Sequence, residues 1–173
     1  VAWQTAYLKA HYCAEFMAAT MTSMISDVAK ISYYAAECKR HHVPVLSPDV
    51  NESESVFSVQ GGNIRFGLAG IKSVGENAIR TILEARKKDG PFTSFEDFCS
   101  RVDSRIVNRR GLESLIQCGA MDSFGKKRSQ LMAVLDQAMS MGALRRKDNE
   151  SGQMGLFDDV VSDVSTDLVY PDM

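Results

Sequence analysis

The residues from Phe66 to Arg86 combine small and apolar side chains where two helices would meet in a tight turn. This stretch reads F-G-L-A-G-I-K-S-V-G-E-N-A-I-R-T-I-L-E-A-R. Val74 is expected to plug between the helices while Gly75 keeps the turn small. The helix that starts at Glu76 would then present unpaired main-chain N–H groups and the positive end of its dipole. The stretch therefore predicts a preformed seat for a phosphate.

We interpret this turn as a helix-hairpin-helix unit that binds the DNA backbone. Its predicted phosphate-binding residues are Lys72, Ser73, Val74, Gly75, Glu76 and Arg80. Contacts of this kind read phosphates and not bases, so binding should be indifferent to sequence and sensitive to salt. The alternative for this spacing alone is an ordinary helical corner with a glycine cap.

A second basic corner follows between Arg105 and Gly119. Arg105, Arg109 and Arg110 fall at its start, and the run Lys126-Lys127-Arg128 opens the next helix. Two such corners in tandem favour a surface that binds DNA across a groove. A single corner could equally be a solvent-exposed helix face. The second corner matches the pattern less closely, which leaves direct phosphate binding by it open.

A short peptide near the end of the chain predicts a partner of another kind. Gln153, Met154, Gly155, Leu156 and Phe157 form Q-x-x-L-F within a polar stretch. An exposed Leu-Phe pair is costly unless another surface covers it. Bacterial sliding clamps are recognised by peptides similar to this one, so we expect clamp binding here. The alternative is that Leu156 and Phe157 fold back onto the helical domain.

The remaining reactive side chains do not predict catalysis, a bound metal or a cofactor. Cys38, His41 and His42 lack a fourth ligand at a suitable spacing and are expected to serve packing and surface roles. Asp158 and Asp159 are read as solvated charges. No cluster of carboxylates suggests the metal ligands that phosphoryl transfer needs, so we expect no catalytic residue in this chain.

Charge is distributed unevenly along the 173 residues, whose formal net charge is -2. Residues 1–63 carry 4 basic and 6 acidic side chains, residues 64–147 carry 16 and 9, and residues 148–173 carry 0 and 7. The basic middle can face phosphates, whereas the acidic end would be repelled by them. Four dispersed cysteines, no signal peptide and no long apolar run predict a cytoplasmic protein.

Periodicity and turn residues predict a mainly α fold. Helices are expected over residues 1–23, with a break near Tyr12-Cys13, over 26–42, 76–88, 94–101, 107–117 and from Arg128 to about Leu144. Gly61-Gly62 predicts a β-hairpin over about residues 56–66. Residues 43–55 are expected to be an extended connector without a regular element, and residues 148–173 a flexible acidic tail.

Taken together, these segments resemble the alpha subunits of bacterial DNA polymerase III, the C-family replicative polymerases. The resemblance runs nearly end to end, and it departs from the family at Cys13, where a proline is usual, and at Ser73, where these hairpins usually carry a glycine. The segments that carry it are A-W-Q-T-A-Y-L-K-A-H-Y (2–12), A-E-F-M-A-A (14–19), V-L-S-P-D-V-N-E-S (45–53), I-R-F-G-L-A-G-I-K-S-V-G-E (64–76), G-P-F-T-S-F-E-D-F-C (90–99), N-R-R-G-L-E-S-L-I-Q-C-G-A-M-D (108–122) and S-G-Q-M-G-L-F (151–157).

The resemblance implies a place within a larger DNA-directed DNA polymerase. Residues 1–55 correspond to the end of the fingers domain, 56–147 to the hairpin and tandem helix-hairpin-helix region, and 148–173 to the clamp-binding tail. The catalytic palm and its magnesium ligands would lie elsewhere, so the fragment should be inactive alone. Duplex DNA, the sliding clamp and the rest of the polymerase are the expected partners. Two alternatives are an architectural module that never touches DNA and a free-standing repair accessory protein.

Overall fold

The computed structural model describes residues 2–151 and 168–171, with side chains for residues 2–146 and 168–171. In these residues the chain is mainly helical with one small sheet, as the sequence predicts. The helices are α1 (Ala2–His11), α2 (Cys13–Ser23), α3 (Val28–Arg40), α4 (Glu76–Asp89), α5 (Phe95–Arg101), α6 (Arg109–Gln117) and α7 (Arg128–Ser151). The predicted clamp-binding residues 153–157 lie outside the described ranges.

The three N-terminal helices are divided at Tyr12 and at Asp27. The predicted break near Tyr12-Cys13 is confirmed, because Tyr12 separates α1 from α2 and Cys13 is the first residue of α2. Cys13 therefore occupies the first helical position, where proline is also favoured. The Asp27 side chain accepts a hydrogen bond from the Lys30 amide and so caps α3. His42, with φ +58°, lies just beyond the end of α3.

A three-stranded sheet follows, with the strand order β1-β3-β2. The predicted hairpin is confirmed: β2 (Ser58–Gln60) pairs antiparallel with β3 (Asn63–Arg65), and Gly61 and Gly62 both have positive φ. The prediction of no regular element over residues 43–55 was wrong at one point. There β1 (Val45–Leu46) pairs in parallel with β3. A two-residue strand is too short to show a period in the sequence.

The buried apolar side chains form two clusters. The larger one joins α4, α5, α6 and α7 around Phe95, Phe98, Leu115 and Leu135. The smaller one joins α2, α3 and the sheet, and Phe66 packs against both. Buried hairpin side chains such as Phe57 belong to the smaller cluster, so the boundary predicted between residues 55 and 56 does not coincide with the division between the cores.

The C-terminal part of the described chain is more ordered than the sequence suggested. The last helix extends to Ser151, where its end was predicted near Leu144. Residues 168–171 lie on the helical domain, with Leu168 buried in the larger core. This part of the predicted tail is therefore packed. None of the helices in the described ranges is long and apolar enough to cross a membrane.

Candidate nucleic-acid interface

The turn before α4 places its residues in two environments. Val74 is buried in the larger core, where it plugs the turn, while Lys72, Ser73, Gly75 and Glu76 are exposed. The helical piece that precedes the turn is reduced to one 3-10 turn over Leu68–Gly70. The turn therefore exposes polar groups to solvent, and the buried Val74 side chain fixes it to the core.

Gly75 leaves the start of α4 open. It is the N-cap residue, its backbone is extended (φ -76°, ψ 162°), and no side chain caps the helix. The N–H groups of the first helical turn have no intrahelical acceptor. A Cβ atom at Gly75 would meet no atom within 4 Å, so neither packing within the chain nor the backbone conformation requires glycine here. The missing side chain leaves room for a ligand beside the free N–H groups.

The turn before α6 repeats this arrangement with one difference. Val107 is buried, as Val74 is in the first turn, and Asn108 is the N-cap residue. The Asn108 Oδ1 atom accepts a hydrogen bond of 2.9 Å from the Gly111 amide. A side-chain oxygen therefore occupies at α6 the position that stays empty at α4.

The two helix starts share one cleft of about 420 Å³. It is lined on one side by Ser73 and residues 75–78, and on the other by residues 106–108 and Gly111. A Cβ atom at Gly111 would lie 3.4 Å from the carbonyl oxygen of Ser73, which shows how closely α6 approaches the first turn. The positive ends of two helix dipoles therefore flank the same space.

Two asparagines add hydrogen-bond donors to this cleft. The Asn77 Oδ1 atom accepts a hydrogen bond of 3.0 Å from Arg80, and Asn108 Oδ1 is occupied by the Gly111 amide. Among the described residues neither side-chain NH2 group has a partner, so both remain available as donors. Sequence reasoning did not identify Asn77 or Asn108 as site residues. Asn108 precedes a helix start, which was a usable signal, but their shared cleft is visible only in the structure.

Most of the arginines predicted to face phosphate are engaged within the chain. Arg105 bonds to Asp103, whose pKa is lowered chiefly by that hydrogen bond. Arg109 bonds to Glu113 and Asp136.

Two cations near the turns remain without such engagement. Lys72 and Arg110 are exposed, and in the described part of the chain neither has a hydrogen-bond or ion-pair partner. Arg80 lies on the first turn of α4 and donates to Asn77. The counter-charge nearest the turns is therefore carried mainly by Lys72 and Arg110.

The side chains set aside as metal ligands have other roles in the structure. His41 lies 3.3 Å from a carboxylate oxygen of Glu37, and burial raises the pKa of the Cys38 thiol to about 11. In the described residues no group of three or more His, Cys, Asp or Glu side chains is arranged to hold a metal ion.

Comparison with known proteins supports the assignment of the two turns. The family model described as "Helix-hairpin-helix motif" matches residues 42–131. This range contains both turns, the cleft between them and the sheet. It also ends inside α7, so the matched part coincides with most of the larger core.

Similar proteins are DNA polymerase III alpha subunits. That of Thermus aquaticus is 45% identical over 160 residues, or 92% of this chain. That of Bacillus subtilis is 47% identical over 89% of the chain, and that of Treponema pallidum 39% over all of it. The chain spans only 13–15% of these relatives' length. It belongs to the helix-hairpin-helix motif family.

Proposed function

We propose that this chain is a segment of a bacterial replicative DNA polymerase that binds the sugar-phosphate backbone of duplex DNA at the cleft between α4 and α6. The observation that carries the proposal is the uncapped start of α4, which opens into that cleft. The alpha-subunit homologues support the polymerase context, and the family match supports DNA as the ligand.

The chemistry of the cleft favours a phosphodiester over a base. Its hydrogen-bond donors without partners in the described chain are the free main-chain N–H groups of α4, the Ser73 hydroxyl and the side-chain NH2 groups of Asn77 and Asn108. The Glu76 carboxylate also lines the cleft and would oppose an anion, so the donors must outweigh it. A phosphodiester oxygen accepts hydrogen bonds and carries negative charge, so it suits donors placed at the positive end of a helix dipole. Binding should therefore be independent of sequence.

Lys72 and Arg110 would supply the long-range attraction to the phosphates. Both are exposed near the turns, and neither is neutralised by a carboxylate of the described chain. The other cations singled out from the sequence contribute less, since carboxylates already face Arg105 and Arg109. We therefore expect salt-sensitive binding whose dependence on salt is set mainly by these two cations.

Gly75→Asn tests the open helix start. An Asn side chain at this N-cap would occupy the free N–H groups, as Asn108 does at α6. We expect stability to rise by a few tenths of a kcal/mol, because Asn caps helices better than Gly. Duplex affinity should fall about tenfold, since a hydrogen bond to a charged group contributes about 1.5 kcal/mol or more. Urea unfolding and fluorescence anisotropy with two unrelated duplex sequences measure the two effects, and unchanged affinity would argue against the cleft.

Charge reversal separates this proposal from the architectural alternative. Lys72→Glu should weaken duplex binding at low salt, with a smaller effect at moderate salt. Lys88→Glu is the matched control, because Lys88 is an exposed cation in the last turn of α4. It lies about 18 Å along the helix axis from Glu76, where α4 begins. Equal effects of the two substitutions would indicate diffuse attraction. Absence of salt-sensitive binding by the unmodified chain would favour a module that packs within the polymerase.

We also propose that the chain docks on the sliding clamp through Gln153, Met154, Gly155, Leu156 and Phe157. The Q-x-x-L-F pattern supports this part, together with the alpha-subunit homologues. Its leucine and phenylalanine would fill an apolar pocket on the clamp while the glutamine bonds at the rim.

Replacing Leu156 and Phe157 by alanine tests clamp docking. We expect loss of clamp binding in a pull-down and no change in duplex affinity, because the cleft between α4 and α6 is untouched. Replacing Val160 and Val161 by alanine serves as the control, since this apolar pair lies close to the Q-x-x-L-F pattern in the sequence but outside it. Retained clamp binding by the double variant would refute the docking proposal and leave the DNA proposal standing.

Catalysis is assigned to other parts of the proposed polymerase. We expect magnesium to be held there, and the chain to contribute no catalytic residue, so that it is inactive alone. The rest of the polymerase would be its third partner, in the cytoplasm. A nucleotide-incorporation assay with primed template tests this directly, because any incorporation by the isolated chain would contradict the assignment.

A further inference from the structure

The segment Leu168–Pro171 makes side-chain-specific contacts with the helical domain. Leu168 is 5% exposed and joins the larger core. The Tyr170 hydroxyl donates a hydrogen bond of 2.7 Å to a carboxylate oxygen of Glu96 on α5. The Gln130 side chain, near the start of α7, donates one of 2.9 Å to the Pro171 carbonyl oxygen.

The aromatic ring and the phenol of Tyr170 are both recognised. The Lys126 ammonium lies 4.6 Å from the centre of the Tyr170 ring, in a cation–π arrangement. Burial raises the Tyr170 pKa, and the hydrogen bond to Glu96 raises it further. The site therefore contacts the leucine side chain, the ring and the hydroxyl of the tyrosine, and one main-chain carbonyl group.

The segment forms part of the wall of a cavity on the helical domain. This cavity of about 540 Å³ is lined by Leu168 and Tyr170 together with residues of α5, the 3-10 turn at Asp122–Phe124 and α7. The segment itself forms no helix or strand. It is consequently held mainly by its side chains, in the manner of an extended peptide bound in a groove.

We infer that this groove is a binding site for an extended Leu-x-Tyr-Pro peptide and that its ligand is the chain's own segment Leu168–Pro171, held as an exchangeable clasp. The clasp joins the chain beyond residue 167 to α5 and to the start of α7. The inference concerns a different surface from the DNA cleft and does not depend on the proposed function.

Peptide binding in trans tests the inference on the full chain. In Tyr170→Ala the clasp loses its hydroxyl and its ring, so the groove is vacated. A fluorescent peptide of residues 166–173 should bind this variant at least tenfold more tightly than the unmodified chain, whose groove is occupied. The same peptide with phenylalanine for tyrosine should bind more weakly. Equal affinity for both chains, or no binding to the variant while circular dichroism shows it folded, would overturn the inference.

A double-mutant cycle gives a second readout in the intact chain. Tyr170→Phe should lower the melting temperature by about 2–4 °C. Glu96→Gln should lower the melting temperature less in the Tyr170→Phe background than in the unmodified chain, because both substitutions disrupt the same hydrogen bond. Tyr33→Phe is the matched control, since Tyr33 is 61% exposed and distant in sequence from the clasp. Additive effects of the two substitutions would show that the segment is detached in solution.

Discussion

Ser73 is the residue of the first turn whose backbone is strained. Its φ is +66°, in the left-handed region that disfavours residues with a Cβ atom. Gly75, by contrast, has a negative φ that any residue can adopt. A Cβ atom is therefore strained at position 73 but tolerated at position 75, and glycine would suit the conformation of position 73.

Ser73→Gly should stabilise the protein. Relief of the left-handed strain outweighs the greater flexibility of glycine in the unfolded chain, so we expect a gain of about 0.5–1 kcal/mol. His42→Gly is a matched comparison, because His42 is exposed, has φ +58° and lies just beyond the end of α3. Both variants should raise the urea midpoint by similar amounts. A loss of stability in Ser73→Gly would mean that the serine side chain makes a compensating contact.

Three other arginines donate hydrogen bonds to main-chain carbonyl groups. Arg86 bonds to the carbonyl oxygens of residues 50 and 53, Arg101 to those of residues 85, 90 and 91, and Arg146 to those of residues 99 and 102. These guanidinium groups tie loops and helix ends to the larger core. Part of the positive charge of residues 64–147 therefore serves the fold. The excess of basic over acidic side chains in this range overstates how many cations could contact a ligand.

At the scale of elements, α5 and α7 approach each other closely in the larger core. Gly142 on α7 faces the end of α5, where a Cβ atom would overlap the Cys99 carbonyl and lie 3.2 Å from the Ser100 amide nitrogen. The α5 helix leads into the turn before α6, so this contact helps to position the second side of the cleft. Burial also raises the pKa of the Cys99 thiol to about 12.

Gly142→Ala should destabilise the protein despite the better helix propensity of alanine. The propensity gain is about 1 kcal/mol, but the methyl group meets backbone that cannot move alone, so we expect a net loss of about 1–3 kcal/mol. Gly111→Ala is the matched control in α6, where the nearest atom would lie at an ordinary 3.4 Å. Guanidinium unfolding of both variants checks this. Equal stability would show that α5 and α7 can separate without cost.

At the scale of the whole molecule, two cores are joined by chain that crosses between them. Val50 belongs to the larger core and its amide donates to the Ala120 carbonyl, whereas Phe57 belongs to the smaller core. Phe66 contacts both and stacks edge-on against Phe57, with 4.8 Å between ring centres. Unfolding of the sheet should therefore be coupled to loosening of the helix-hairpin-helix region.

Acid should destabilise the molecule through its paired carboxylates. The pKa values of Asp103 and Asp122 lie below their ordinary value of 3.8, chiefly because Arg105 and Arg128 donate hydrogen bonds to them. The unfolded chain therefore binds these protons first as the pH falls. Stability from both pairs is complete above about pH 4 and is lost as the pH falls through the lower, folded values.

Urea midpoints measured between pH 2 and pH 6 check this prediction. The midpoint should decline below about pH 4, and Asp122→Asn should make that decline shallower, since it removes one of the carboxyl groups whose pKa is lowered in the folded chain. The same variant should have a lower midpoint at pH 6, where the Asp122 carboxylate accepts from Arg128. A decline of identical steepness in both proteins would assign the acid sensitivity to other groups.

The sequence by itself determined the elements and the turn that leads into α4. Helical periodicity, the caps at Asp27 and Ser94, and Gly61-Gly62 act between neighbouring residues, so their effects are visible in the order of residues. The buried Val74 beside an uncapped Gly75 was predictable for the same reason. The short β1 was not, because two residues carry no period and pair with a strand far along the chain.

Only the tertiary structure decided which of these parts form a site. It brought Asn77 and Asn108 to one cleft, engaged Arg109 with Asp136, and set Tyr170 against Glu96. These partners are 27 or more residues apart, and nothing local encodes their approach. They meet because burying the apolar faces of α4 to α7 in one core fixes how the helices cross, and that packing depends on the whole set of side chains at once.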